Sequence, residues 1–564
     1  PFNVITSPWK EGILFFKNKQ GGIFPYAPLS SEQQTTNILC FAPPGGGKSV
    51  LISTLILAAI FDPVLEGLPK IAAIDIGNSS LGVIKLLREI CPPDMRDRFL
   101  HIEFELNDRF GINVMDTRSA CPFPTSTERG FLTNFFTLIL TPVGQAEPIK
   151  DAASIASILI TELYTIFYED EPEKYAPGRD PMTDKWIQNE RDFDVKKTTT
   201  WWQVVHHAME RKAYAIAGSA QRFAVPNLSK VPARLTMSDS LKQLYGPDNP
   251  ILIEAKRLFL GFIQQYPSLC KPSSYNFQET DVCIFDLNKV TQDTGPEGAR
   301  RTTIAYMVSR YLLGKDFLTN KDILNEMPPL AQEFYRSKVA QLEVVRKYLI
   351  YDEFHRTKGS LSVQQTVLDD MRNGRKFNLM VMLASQNFND FNEDIVKQAT
   401  VRFVMRVETP EEAEGLVKKY GWTQTIRDAL VKEVHGAGLH GATMLMHASG
   451  LKGEDSSCTQ VLTNIIGRTE LAAYGTTRED SALRDALIDE HGIPYWDTVT
   501  LIGRFFPGGV KTMVEDSMRA KRRSIESVQT EVIDEMEQLK GALAPMIRQI
   551  KDSYTSSKMN GLKI

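Results

Sequence analysis

The sequence predicts an α/β protein with a parallel sheet, interrupted by an all-α insertion and followed by a helical C-terminal extension. Two stretches of the chain alternate short apolar runs with helical patterns, which is typical of a parallel α/β sheet. The stretch between them has helical periodicity without convincing strands. The predicted divisions are an N-terminal segment, the first part of the core, the insertion, the second part of the core and the extension: residues 1–36, 37–124, 125–271, 272–451 and 452–564.

Composition supports a folded chain of two or three domains. The chain has 564 residues, of which 42% are hydrophobic and 24% are charged, and these are ordinary globular values. Its longest apolar stretch, Val50–Phe61, is too short to span a bilayer. A net charge of −4 gives no overall electrostatic footprint for nucleic acid, which leaves a local basic channel open. Six scattered cysteines lack the spacing of a zinc or redox site and are expected to be reduced thiols in a cytosolic chain.

The stretch APPGGGKSV at Ala42–Val50 predicts a phosphate-binding loop between a strand and a helix. Consecutive glycines let backbone N–H groups converge on an anion, Lys48 adds a positive charge, and Ser49 offers a hydroxyl to Mg²⁺. Because a helix follows the loop, phosphate would also meet a helix N-terminus. Ala42 stands where the P-loop pattern has its first glycine, and we expect nucleotide binding to survive this change. The predicted nucleotide-binding residues are Pro44, Gly45, Gly46, Gly47, Lys48, Ser49 and Val50.

Periodicity places the other elements along the chain. Strands are predicted at the apolar runs Asn37–Ala42, Lys70–Asp75, Phe99–Phe104, Asp281–Leu287, Lys347–His355, Asn378–Ala384, Thr400–Val407 and Gly441–Met446. Helices are predicted at Val50–Phe61, Leu81–Ile90, Phe131–Leu140, Ala152–Phe167, Trp201–Phe223, Ile251–Tyr266, Thr302–Leu313, Leu330–Val345, Leu361–Arg372 and Pro410–Lys419. Beyond about Lys452 the strand signals stop. Apolar residues spaced by three and four then predict one face of a helix: Ile525, Val528, Val532, Met536 and Leu539.

The run YLIYDEF supplies groups that hydrolysis needs beyond nucleotide binding. It predicts a buried strand whose end would place Asp352 beside a Mg²⁺ ion held by Ser49. Glu353 is suited to orient and polarise the attacking water. The next predicted strand ends in Gln386, which can sense the γ-phosphate through water, although a strand-end polar residue that only meets solvent is the alternative. The pattern therefore predicts a hydrolase that uses ATP and Mg²⁺.

Basic residues lie between these two strands, near the end of the intervening helix. Arg375, with Arg372 as the second choice, is a candidate to deliver a cation to the γ-phosphate of an adjacent subunit. We expect this helix end to lie beside the sheet edge where the nucleotide binds. The alternative is that both cations only complement the helix dipole.

The order of these motifs resembles one family. A P-loop, a long insertion, a strand with Asp-Glu, RKFN at Arg375–Asn378 and ASQNFND at Ala384–Asp390 are similar to the TraC/TrbE-like conjugative-transfer ATPases of type IV secretion systems. The amino-acid sequence of the last two motifs is most similar to that of the ATPases of Dot/Icm (type IVB) systems. The resemblance implies a RecA-like core and a homo-oligomer, a hexamer as in this family, at the cytoplasmic face of the bacterial inner membrane. Its implied partners are the inner-membrane secretion channel, sister secretion ATPases and a protein substrate or its adaptor.

Two other functions compete with a secretion motor. The first is a DNA-translocating pump of the FtsK/HerA type, which predicts a basic face, whereas the dense basic cluster in this chain is RAKRR at Arg519–Arg523. Such a cluster is usually a solvated helix face. The second is an assembly platform that binds nucleotide without hydrolysing it. Measurement of turnover separates the platform from both motors.

Overall fold

One mixed sheet runs through the part of the chain that the computed structural model describes. The described residues are 7–33, 35–63, 67–77, 79–107, 111–277, 280–292, 295–438, 440–452, 456–511, 513–514 and 535–559. The strands are β1 (Leu14–Asn18), β2 (Ile23–Tyr26), β3 (Ile38–Phe41), β4 (Lys70–Asp75), β5 (Phe99–Glu103), β6 (Val282–Asp286), β7 (Lys347–Tyr351), β8 (Leu379–Ser385), β9 (Val401–Val404), β10 (Gly436–Gly438), β11 (Gly441–Ser449) and β12 (Ser457–Asn464). Their order across the sheet is β2-β1-β12-β11-β9-β3-β8-β7-β4-β6-β5, with β10 paired to β11.

The strands from β9 to β5 in this order are parallel, which confirms the predicted α/β fold. Every residue of β3, β7 and β8 is buried, because helices cover both faces of a parallel sheet. Each of these strands was predicted from its continuous apolar run. Since parallel strands end at one edge of a sheet, the carboxyl ends of β3, β7 and β8 lie together there.

Helices cover the sheet and form the segments between its strands. In the first half of the chain they are α1 (Lys48–Ile60), α2 (Leu81–Ile90), α3 (Ser126–Ile139), α4 (Ala152–Thr165), α5 (Pro181–Asn189), α6 (Trp201–Glu210), α7 (Tyr214–Gln221), α8 (Val231–Met237), α9 (Asp239–Tyr245) and α10 (Pro250–Gln265). In the second half they are α11 (Gly295–Gly314), α12 (Gln332–Val344), α13 (Leu361–Asn373), α14 (Glu393–Gln398), α15 (Pro410–Tyr420), α16 (Gln424–Glu433), α17 (Arg468–Tyr474), α18 (Arg478–Asp485), α19 (Tyr495–Phe505) and α20 (Glu535–Met559). None of the described helices is both long and apolar enough to cross a membrane.

The segment between β5 and β6 is helical, with one difference from the prediction. It begins with a capping box, in which the Thr125 side chain and the Glu128 side chain each bind the other residue's backbone N–H. The continuous helix predicted over Trp201–Phe223 is instead α6 and α7, because Lys212 has a left-handed backbone with a φ of 57°. A one-residue break of this kind leaves the apolar spacing of both helices intact, so periodicity alone does not reveal it.

The prediction that strands stop near Lys452 is wrong. Strand β12 follows that point and pairs with β11 over eight residue pairs, from Ala442–Asn464 to Ser449–Ser457. Its sequence, SCTQVLTN, is mostly polar and has no apolar run to signal a strand. The N-terminal segment also contains β1 and β2, which extend the sheet beyond β12. These strands form an antiparallel extension that joins the parallel core through the pairing of β11 with β9.

Two apolar clusters fill the two faces of the sheet. Alternate residues of a strand enter different clusters, as Leu39 packs with the insertion helices and Cys40 packs with α1 and α2. A separate cluster joins α18, α19 and α20 and includes Leu539 of the predicted helical face. The other residues predicted for that face, Ile525, Val528 and Val532, and the RAKRR cluster lie outside the described residues, as does the side chain of Met536.

Candidate active site

The P-loop leaves β3 at the carboxyl edge of the sheet and leads directly into α1. Gly45 and Gly47 have φ values of 76° and 100°, a left-handed region that glycine adopts without the strain a Cβ brings. Between them the buried Gly46 donates its N–H to the Pro43 carbonyl oxygen over 3.0 Å. Helix α1 begins at Lys48, so its first N–H groups face the loop. The local geometry is therefore that of an anion cradle at a helix N-terminus.

Lys48 joins the P-loop to the end of β7. Its Nζ lies 2.7 Å from Asp352 Oδ1 and also forms an ion pair with Glu353. Lys48 and Glu353 are 305 residues apart in the chain. Burial by itself would lower the pKa of Lys48, but the two carboxylates outweigh it and hold that pKa above its usual range. The structure thus brings together the Lys48, Asp352 and Glu353 side chains that the sequence singled out.

The two acidic residues of this pair have pKa values displaced in opposite directions. Burial raises the pKa of Asp352 to about 6, although Lys48 opposes this, and the carboxylates of Asp75 and Glu353 add to the rise. Burial also acts to raise the pKa of Glu353, but hydrogen bonds and charge from His355, Lys48 and Gln386 lower it to about 2. Glu353 is therefore ionised at neutral pH, which a general base requires.

Gln386 reaches Glu353 from the neighbouring strand. Strand β8 lies between β3 and β7, so its carboxyl end is next to both the P-loop and the acidic pair. The Gln386 Nε2 donates to Glu353 Oε2 over 2.9 Å. Behind it, Ser385 donates to Asp390, and Lys358 Nζ lies 2.6 Å from the same Asp390 carboxylate. This network holds the turn that carries Gln386. Because Gln386 binds Glu353, it does more than meet solvent at a strand end, which was the alternative considered from the sequence.

Two residues that share this edge, Asp75 and Ser79, were not predicted from the sequence. Asp75 ends β4, and the Ser79 hydroxyl lies 2.7 Å from Asp75 Oδ1 and 3.4 Å from Asp352 Oδ2. Burial raises the pKa of Asp75, and hydrogen bonds from Ser79 and from the backbone N–H of Ser80 oppose that rise. The signal was present in the sequence, because the apolar run KIAAID ends in this carboxylate. That β4 pairs with β7, which brings Asp75 close to Asp352, could not be known before the strand order was known.

The buried carboxylates at this edge suit a bound cation. Asp75, Asp352 and Glu353 are carboxylates near one buried ammonium group, that of Lys48, and two of their pKa values are raised by burial. Within the described ranges no group of three or more His, Cys, Asp or Glu side chains forms a metal site by itself. Ser49 lies in the first turn of α1 and Asp352 directly follows β7, so a hydroxyl and a carboxylate at this edge fit Mg²⁺ as partners of nucleotide phosphates, which is how Mg²⁺ is usually held.

The expectation that Arg372 and Arg375 lie beside the nucleotide edge is wrong. Helix α13 follows β7 and runs back across the sheet, so its end meets the amino end of β8. There the Met371 carbonyl oxygen accepts a hydrogen bond from Asn37, the residue before β3, over 3.0 Å. Arg372 and Arg375 are exposed at this opposite edge. Their action on a neighbouring subunit stays a prediction, because it does not require them to reach the site of their own chain.

Solved structures of two other proteins are similar to this chain, whereas no family model and no curated protein sequence matches it. One is the structure of VirB4 of Thermoanaerobacter pseudethanolicus, with 14% identity and a TM-score of 0.44 over 82% of this chain and 99% of that one. Another is the genome packaging NTPase B204 from Sulfolobus turreted icosahedral virus 2 in complex with ATPγS, with 13% identity and a TM-score of 0.21 over 34% of this chain and 70% of that one. The same NTPase in complex with AMPPCP has 14% identity and a TM-score of 0.19 over 35% and 78%.

Proposed function

We propose that this chain hydrolyses ATP with Mg²⁺ and is a motor subunit of a bacterial type IV secretion system. The observation that carries the hydrolysis is the contact of Lys48 with Asp352 and Glu353, with Gln386 bound to the same glutamate. These side chains come from three neighbouring parallel strands or the loops that follow them. Phosphoryl transfer relies on such fixed charges and on a positioned base more than on covalent chemistry by the protein.

Each side chain has a defined task in this proposal. The P-loop N–H groups and Lys48 bind the β- and γ-phosphates, and a phosphate there draws Lys48 away from the two carboxylates. Ser49 and Asp352 hold Mg²⁺, which neutralises charge on the phosphate oxygens when it is bound. Glu353, which is ionised at neutral pH, takes a proton from the attacking water. Gln386 holds one Glu353 oxygen and so orients the carboxylate toward the water.

The secretion role is supported by the motifs rather than by the hydrolytic site. RKFN and ASQNFND follow the Asp-Glu strand in the order found in TraC/TrbE-like ATPases, and their wording is most similar to DotO, also called IcmB, of Dot/Icm systems. On this basis the chain assembles into a hexamer at the cytoplasmic face of the inner membrane. It contacts the secretion channel and sister ATPases there and acts on a protein substrate or its adaptor.

Two variants test the hydrolytic site. Lys48→Ala is expected to abolish hydrolysis and weaken ATP binding, because the phosphates lose their fixed cation. Glu353→Gln is expected to keep ATP bound and slow turnover by about 10²-fold or more, since the base is lost while Asp352 remains. ATP binding by titration and phosphate release measure the two effects. Glu411→Gln on the exposed side of α15 is the matched control, and normal turnover in Glu353→Gln would contradict the assignment.

Assembly and substrate are tested separately. Electron microscopy with a non-hydrolysable ATP analogue is expected to show closed rings, and persistent monomers would contradict the motor. A turnover rate that rises several-fold with duplex DNA would favour a DNA pump instead. ATP binding without any turnover in the assembled protein would favour a nucleotide-dependent platform.

A further inference from the structure

The hairpin of β10 and β11 packs against the P-loop. Strand β9 pairs with β3 on one side and with β11 on the other, which brings the start of β11 beside the loop that follows β3. Ala442 in β11 is buried, and its Cβ is 3.0 Å from the position that a Cβ on Gly47 would take. Strand β10 folds back along β11, with Gly436 opposite Thr443. The hairpin is thus a wall of the nucleotide cradle, contributed by residues far from it in the chain.

The contact at Gly436 is between backbones. Gly436 is buried and has a φ of 71°. A Cβ added to it would lie 3.1 Å from Gly46 Cα, 3.1 Å from the Gly46 carbonyl oxygen and 3.3 Å from the Met405 carbonyl oxygen. Unlike the end of a flexible side chain, none of these atoms can rotate away. A larger residue at this position therefore requires the P-loop backbone or the hairpin to shift by a few tenths of an ångström.

The P-loop is also restrained by a hydrogen bond within its own turn and by one between the end of β3 and the residue that follows β9. The N–H of Gly46 is bound to the Pro43 carbonyl oxygen, and the N–H of Met405 is bound to the Phe41 carbonyl oxygen over 3.0 Å. A Cβ on Gly46 itself would lie 3.0 Å from both Ala42 Cβ and the Pro43 carbonyl oxygen. The loop is held between its own turn and the hairpin, so a displacement at Gly436 passes directly to Gly46.

We infer that Gly436 is a positioning residue for nucleotide binding, which sets the path of the P-loop through direct backbone contact with Gly46. The inference rests on the proposed function, because it concerns the same phosphate site. The ligand class is a nucleoside triphosphate, whose phosphates are held by N–H groups that converge only when the loop keeps its shape. Gly436 touches no phosphate itself and acts through Gly46.

The test compares three glycine variants of the whole chain. Gly436→Ala is expected to raise the dissociation constant for ATPγS, and the KM for ATP, by about tenfold, since small misplacement of binding groups is costly. Its kcat at saturating ATP is expected to fall less than twofold. Gly438→Ala is a control in the same strand, where the nearest atom to a new Cβ is 3.7 Å away. Gly421→Ala controls for strain alone, because its φ is 65° and nothing lies within 4 Å.

Affinity equal to wild type in Gly436→Ala would overturn the inference, and so would equal weakening in Gly421→Ala. A second measurement covers the case in which Gly436→Ala does not fold. Hydrogen exchange of the wild-type protein is expected to slow at residues 436–438 when ATPγS protects residues 45–48. Protection of the P-loop with unchanged exchange in the hairpin would overturn the inference while leaving the proposed function intact. An ATPγS affinity that is unchanged by Lys48→Ala would instead contradict the proposed function.

Discussion

The two edges of the parallel sheet carry the same kinds of charged residue in different balance. At the amino edge, Asp316 has two cationic partners, with Arg118 Nη1 at 2.6 Å and Lys338 Nζ at 2.8 Å. Burial opposes ionisation of Asp316, but these cations hold its pKa well below its usual range. At the carboxyl edge, Asp352 shares the single Lys48 with Glu353, and its pKa is raised to about 6.

This difference separates a structural ion pair from a binding site. A buried carboxylate that is fully compensated, as Asp316 is, contributes to the fold and has no need of a ligand. A buried carboxylate short of positive charge destabilises the fold and gains from a cation, which is the usual signature of a functional site.

The largest expected effect is on turnover, and it would show that a residue at the amino edge takes part in catalysis. Arg375→Ala is expected to bind ATP with near-normal affinity and to lose about 10³-fold in turnover, if Arg375 reaches the γ-phosphate of an adjacent subunit. Phosphate release and ATPγS titration measure the two quantities. Mixing this variant with Glu353→Gln should restore turnover at composite sites. Mixed rings that stay inactive would leave Arg375 with only its dipole role, and the amino edge would then be structural throughout.

A matched pair of asparagine substitutions tests the charge balance directly. Asp316→Asn is expected to lower the free energy of unfolding by about 3 kcal/mol at pH 7, because Arg118 and Lys338 lose their partner in a buried site. Asp352→Asn is expected to leave that free energy unchanged or to raise it. Urea unfolding of both variants checks this. Equal losses in the two variants would show that the edges do not differ as described.

The same pair has opposite pH dependence. Asp316 has a lowered folded pKa, so its stabilisation is present above the unfolded value near 3.8 and is lost as the pH falls below it. Asp352 has a raised folded pKa, so the stability it contributes is present below about 3.8 and is lost as the pH rises through 6. The melting temperature of Asp352→Asn should therefore rise relative to wild type as the pH increases from about 4 to about 6, which are roughly the unfolded and folded pKa values of Asp352. Melting temperatures across this range measure it, and a constant difference would refute the assignment.

The smallest expected effect concerns the residue that orients Glu353. Gln386→Ala is expected to reduce turnover by roughly tenfold with little change in ATP affinity, because the carboxylate stays in place but loses one hydrogen bond. Asn389→Ala, in the same turn and exposed, is the control and should hydrolyse ATP normally. A loss in the control equal to that in Gln386→Ala would mean that the turn, rather than the Glu353 contact, is what matters.

Local sequence was sufficient for the parts of the fold that are locally determined. The buried strands β3, β7 and β8 were predictable because each is a continuous apolar run, and the P-loop was predictable because only glycines allow its backbone angles. Strands β1, β2 and β12 were not predicted, because β1 and β2 are short, β12 is mostly polar, and β1 joins the sheet through its pairing with the distant β12. The break in the insertion at Lys212 was hidden because one residue does not disturb the periodicity on either side.

The chain by itself determined which groups are available: a phosphate loop with Lys48, an Asp-Glu pair at a strand end, and Gln386 at the next strand end. The tertiary structure alone decided which of them meet. The order of the strands places β8 between β3 and β7 and so puts Gln386 on Glu353, while the return of α13 carries Arg375 to the opposite edge. The tertiary structure also places Gly436 in contact with Gly46. The physical reason is that residue type sets local geometry, whereas contacts between distant segments depend on how the whole sheet pairs.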